Sequence, residues 1–189
     1  MMSLDEELRE AQQCYQQHDF KCAYEKYLAL GKGGHGDSQV FLGWMIQNGI
    51  GTQVDPTGAS LWFKRAALLG SIQGAFYYGR YLTTQGQHKD ALKWYRIAAD
   101  KGDVSSIFRV GYSLVRGKGI ETDIPLGYKY LLKAADSGHI FSLREIGILD
   151  LKGNRGLIHR VTGFWLLLYA VCSGILISLF NRNSDRLRR

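Results

Sequence analysis

Proline is nearly missing from this chain, with two among 189 residues. An interior proline costs a helix about 3 kcal/mol, so this scarcity suits an all-helical fold. The 23 glycines are also poor inside helices and are therefore expected at the turns between them. Cysteine is sparse as well. Cys14, Cys22 and Cys172 are an odd set that makes no disulfide framework. Cys14 and Cys22 read as small buried thiols of a reduced compartment, with a bond between the two left open. A cleavable leader is not expected, because the opening MMSLDEELRE is acidic and has no apolar stretch. Charge of one sign is lacking too. Basic residues exceed acidic ones by 7, but the tail NRNSDRLRR alone carries a net +3, and the rest are scattered singly among acidic groups. Without a basic stripe, no nucleic-acid partner is expected. The length is enough for one domain with a sizeable core.

The signatures of catalysis are absent. His18, His35, His88, His139 and His159 show no metal-ligand spacing with each other or with cysteine. Four of them fall at or beside predicted turns, where a solvated imidazole is the ordinary case. GKGGHG, residues 31–36, lacks the frame of a phosphate loop and follows no buried strand. Neither G-x-S-x-G nor a carboxylate pair can be placed by spacing. We therefore expect a non-enzyme with no metal or cofactor.

What the chain does have is periodicity. WFKRAALLG (62–70), WYRIAADKG (94–102) and YLLKAADSG (130–138) share an aromatic four residues before Ala-Ala and a glycine three after it. Nine residues beyond each terminal glycine comes another, at Gly79, Gly111 and Gly147, and the frame extends back to Gly34 and Gly43. The spacings are 36, 32 and 36 residues, the period of helical-hairpin arrays. Trp62, Ala66 and Leu69 share one helix face. Gly70, Gly102 and Gly138 read as helix stops. Gly79, Gly111 and Gly147 fall inside the next helix, where close packing must offset a cost of about 1 kcal/mol. NGIGTQVD (48–55) has a twin in RGKGIETD (116–123). Its glycines are hinges between the helices of one hairpin, and its Asp starts the next helix. Gly153 is the same first glycine in a final half-repeat. Helices are predicted at 4–17, 20–31, 36–47, 56–69, 72–84, 88–101, 104–116, 124–137 and 140–151.

Gly43, Gly49, Gly51 and Asp55, with Ala59, Trp62, Ala66, Ala67 and Gly70 and their equivalents, make the chain resemble the Sel-one-like repeat (SLR) family, relatives of the tetratricopeptide repeats. The first segment, with Ala11, Tyr15, Phe20, Ala23 and Tyr27, looks more like a plain tetratricopeptide hairpin. The resemblance covers about residues 4–156. It implies an all-α solenoid of about four hairpins and, from the functions of similar proteins, a role in quality control at membranes, in signalling or in envelope and polysaccharide assembly.

One segment is not soluble-protein sequence. VTGFWLLLYAVCSGILISLF, residues 161–180, holds no charge. As a helix it would be about 30 Å long, the thickness of a bilayer core, and arginines flank both ends. With the leader missing, this reads as a single transmembrane helix anchoring the chain by its tail: a repeat body at 1–156 facing the cytoplasm, a span at 157–181 and a short basic tail at 182–189. Ala170, Gly174 and Ser178 follow the small-residue spacing that lets helices approach closely in lipid.

In stacked hairpins the first helix of each pair lines the concave side. The non-core positions of those helices read Phe41 and Trp44, Tyr77 and Arg80, then Arg109 and Tyr112. Large aromatics and arginine are the types enriched at interface hot spots, so these six are the expected protein-binding groove. The function expected is a membrane-anchored adaptor that binds partner proteins there. The alternative is an accessory subunit of a membrane transport, secretion or polysaccharide-assembly machine, meeting a transmembrane partner through Ala170, Gly174 and Ser178.

Overall fold

The computed structural model describes residues 3–152 and 160–173. Its helices are α1 (Leu4–Gln16), α2 (Phe20–Lys32), α3 (Gly36–Asn48), α4 (Pro56–Leu68), α5 (Ile72–Thr84), α6 (His88–Asp100), α7 (Val104–Arg116), α8 (Ile124–Asp136) and α9 (Ile140–Lys152). Every boundary lies within a residue of its predicted place. The capping signals account for this. Ser3 and Glu6 form a reciprocal capping box at α1, and Asp19, Asp55, Ser71, Asp103 and Asp123 each accept a backbone N–H of the first turn. Both prolines, Pro56 and Pro125, stand in the first turn of a helix, where a missing N–H costs no bond.

The chain forms two compact units, residues 1–101 and 102–189. In the first, α1 to α6 pack as successive hairpins around Tyr27, Leu42, Met45, Phe63 and Ala66. The mid-helix glycines of this unit are contact points. A Cβ on Gly43 would stand 2.7 Å from the Phe63 ring, and one on Gly79 would stand 2.9 Å from that of Tyr95. The close approach of these rings offsets the helix cost of glycine. In the second unit, α7, α8 and α9 bury Ile107, Val110, Leu114, Leu131, Ala134 and Ile146. Glu145 of α9 is buried and accepts hydrogen bonds from Arg116 of α7 (2.9 Å) and Arg144 (3.0 Å), so two guanidinium groups neutralise it. The sequence boundary expected after residue 156 falls inside this unit, among residues outside those described.

Two expectations change. Cys14 and Cys22 are joined across the first hairpin, Cα atoms 5.9 Å apart, where free thiols were expected; the turn between α1 and α2 brings their two helix faces together. The half-repeat opened by α9 is followed by helix at 160–173, and that helix packs on α9. A Cβ on Gly147 would meet the Gly163 carbonyl oxygen at 2.8 Å and the Leu167 Cγ at 2.9 Å. Among the described residues, no helix is long and apolar enough to cross a membrane; residues 174–180 of the apolar run lie outside them.

Candidate functional site

Within residues 1–101, three helices place aromatic side chains around one cleft of about 490 Å³. Tyr27 comes from α2, Phe41 and Trp44 from α3, and Tyr77 from α5, with Leu8 and Gln12 of α1 closing one side. The repeat frame explains this local arrangement. Leu42, Gly43, Met45 and Ile46 turn into the core, which leaves Phe41 and Trp44 half-buried on the other side of α3. The rings support one another. Phe41 lies 4.5 Å from Tyr27, 5.5 Å from Trp44 and 5.2 Å edge-on from Tyr15. Tyr77 stacks on the buried Phe63 at 5.0 Å. A cleft walled by rings already fixed by other rings loses little side-chain freedom when it is occupied.

Gln12, His35, Asp37, Ser38 and Gln73 add polar groups to the lining of this cleft. His35 caps α3, its Nδ1 2.7 Å from the Ser38 hydroxyl, and both residues line the cleft beside exposed Asp37 and Gln73. Burial, and secondarily the neighbouring Tyr15, raise the Tyr27 phenol above its ordinary pKa, so it stays a neutral hydrogen-bonding group at physiological pH. Among the described residues, no group of three or more His, Cys, Asp or Glu could hold a metal ion.

Of the six groove residues expected from sequence, Phe41, Trp44 and Tyr77 line this cleft. Arg80 is exposed on α5, its guanidinium 5.6 Å from the Tyr77 ring centre. Arg109 and Tyr112 belong to the second unit. There the Tyr112 ring lies 5.5 Å from the Arg116 guanidinium and 5.8 Å from the Lys118 ammonium, and Arg109 lies 5.9 Å from the Phe108 ring. His139, expected in solvent, stacks on Phe108 at 4.4 Å with its Nδ1 3.0 Å from Ser142 Oγ. Ala170 is 6% exposed; Gly174 and Ser178 lie outside the described residues. Sequence reasoning missed Leu8, Gln12, Tyr27 and Gln73. The first two sit in a hairpin without the glycine frame, and only the packing of α1 against α2 turns them toward α3.

Comparison with known proteins follows the same frame. The Sel1 repeat pattern matches residues 36–71, 74–103 and 104–139. A search of curated proteins found no match. Among solved structures, the chain is similar to a Sel1 repeat protein from Oxalobacter formigenes (24% identity, TM-score 0.69), covering 82% of this chain and 64% of that one. It is also similar to a protective antigen of uropathogenic Escherichia coli strains displaying an SLR fold (24% identity, TM-score 0.71), covering 81% of this chain and 37% of that one. A third similar structure is the MamA RS-1 ArsTM double mutant (14% identity, TM-score 0.63), covering 90% and 95%. The chain thus spans less than two thirds of the length of the first two, and these likenesses concern the fold. With the repeat pattern covering more than half of its residues, the chain belongs to the Sel1 repeat family of helical-repeat, protein-interaction scaffolds.

Proposed function

We propose that the chain is a non-enzymatic scaffold that captures a partner protein in the aromatic cleft of residues 1–101 and holds it at a membrane. The apolar run 161–180 supplies the attachment, and the repeat body faces the cytoplasm. The observation that carries the reading is the convergence of Tyr27, Phe41, Trp44 and Tyr77 on one open cleft of about 490 Å³. Sites that bind ligands span about 300–1,000 Å³, and pre-fixed aromatic anchors are the usual hot spots of protein interfaces. A partner segment presenting one or two large apolar side chains, with a basic residue to meet Asp37, suits this lining. The attachment rests on the 20 uncharged residues of the run and its arginine flanks.

The test is affinity capture from solubilised membranes by the full chain, compared with the Trp44→Ala/Tyr77→Ala variant. Hot-spot truncations cost about 2 kcal/mol or more each, so capture should fall well over tenfold while circular dichroism and melting temperature show a folded chain. Undiminished capture by the folded variant rejects the cleft as the binding site. Arg109→Ala, tested alongside, shows whether the second unit takes part.

A further inference from the structure

The apolar run 161–180 continues the repeat. Gly111, Gly127, Ala134, Gly138 and Ser142 recur 36 residues later as Gly147, Gly163, Ala170, Gly174 and Ser178. The three residues that suggested a lipid-packing stripe are thus also the Ala, Gly and Ser of the repeat frame. The structure bears out the register where it describes it. In the α7–α8 hairpin, a Cβ on Gly111 would lie 3.0 Å from the Gly127 carbonyl oxygen, and one on Gly127 would lie 3.0 Å from that of Gly111. Between α9 and helix 160–173 the same reciprocal crossing joins Gly147 and Gly163, at 2.8 and 2.9 Å. Ala134 and its counterpart Ala170 are both buried. Helix 160–173 is therefore placed as the second helix of a fourth repeat.

Its solvent face differs from those of its counterparts. The places taken by Trp165, Leu168 and Tyr169 include Lys64 and Arg65 in α4, Lys93 and Arg96 in α6, and Lys129 and Lys133 in α8. All of these are exposed. In the last repeat the same face carries no charge, yet Trp165 is 61% exposed and Tyr169 60% exposed. A following repeat would not cover this face, because the corresponding faces of α4, α6 and α8 stay open to solvent. Each earlier helix has one exposed aliphatic at these places (Leu61, Ile97 or Leu132) beside its two charges; a surface that is apolar and aromatic at all three fits an apolar medium. The flanking Arg155 and Arg160, and the four arginines after Phe180, complement anionic headgroups.

We propose that this docked helix is itself the membrane-contacting element. Trp165, Leu168 and Tyr169 lie in the interface of an anionic bilayer while Gly163 and Leu167 hold the helix on α9. The repeats then sit directly on the lipid surface and do not hang from a free-standing anchor. The inference rests on the membrane attachment proposed above, and it specifies how that attachment is made.

The test uses the full chain with vesicles of phosphatidylcholine, with and without phosphatidylserine. Wild type should bind the anionic vesicles, and brominated lipid should quench a fluorescence component that disappears in Trp165→Phe. The variant Trp165→Lys/Leu168→Arg/Tyr169→Lys places at each position a basic residue of the kind that two of the three earlier repeats carry there. It adds positive charge, so purely electrostatic binding would strengthen; binding should instead fall by about tenfold or more. Gly163→Leu tests the docking, because it should lower the melting temperature of the second unit. Undiminished binding by the charged variant overturns the proposal. So does an unchanged melting temperature for Gly163→Leu combined with resistance of wild type to alkaline carbonate extraction, the behaviour of an independent span. Failure of wild type to bind any vesicle removes the membrane attachment as well. If sedimentation then finds a dimer that the charged variant abolishes, the face belongs to a second copy.

Discussion

Gly51 stands at φ +70° with the Phe20 carbonyl where a side chain would begin. Gly34 has φ +89° and open space around it. The comparison separates two costs that glycine substitutions usually mix. Gly34→Ala carries the left-handed backbone penalty alone, about 1–2 kcal/mol. Gly51→Ala adds a collision with a backbone atom that cannot swing aside. In urea unfolding the midpoint should drop clearly further for Gly51→Ala; equal drops would mean that the loop moves away from Phe20. The place of Gly51 was legible from its twin, Gly119. The reason for it was not, because Phe20 lies 31 residues earlier in a hairpin that lacks the glycine frame.

At the scale of the element, a titratable side chain stands just before α9. His139 is half-buried, and its Nδ1 pairs with the Ser142 hydroxyl. Burial first, and the Arg109 charge second, hold its pKa below the ordinary value, with Asp103 opposing. The native state then binds fewer protons than the unfolded chain, whose imidazole titrates near about 6.5. Stability from this group is complete above that pH and is lost as pH falls from there toward the lower native pKa. The melting temperature should therefore fall as pH drops below about 6.5, and His139→Gln should flatten that slope; parallel slopes would clear His139 of the role. The helix boundaries themselves were readable, because Asp and Ser caps, first-turn prolines and terminal glycines act within a few residues of chain. The imidazoles of His35, which caps α3, and of His139, which pairs with the Ser142 hydroxyl, were read as solvated side chains, since nothing local distinguishes a partnered histidine from a free one.

At the scale of the whole molecule, the docking of helix 160–173 on α9 makes a measurable demand. A chain ending at residue 156 would expose the Gly147 face that Gly163 and Leu167 cover. It should melt at a lower temperature than the full chain, and amide exchange in α9 should quicken. Matching melting curves would show that the apolar helix adds nothing to the second unit. Partner capture belongs to this scale too, because the cleft draws Leu8, Tyr27, Phe41 and Tyr77 from four helices.

The sequence by itself determined the helices, their period and the family, because caps, breakers and the Ala-Ala and glycine frame are local signals that repeat. It also marked Phe41, Trp44 and Tyr77 by their phase on each helix. Tertiary structure alone decided that these three share a cleft with Leu8 and Tyr27. It likewise decided that Cys14 meets Cys22 and that Gly163 seats an apolar helix on α9. Each of these depends on how far one helix is turned against another. Hydropathy could not convey that for 161–180, because an uncharged helix reads alike whether lipid or a neighbouring helix lies against it.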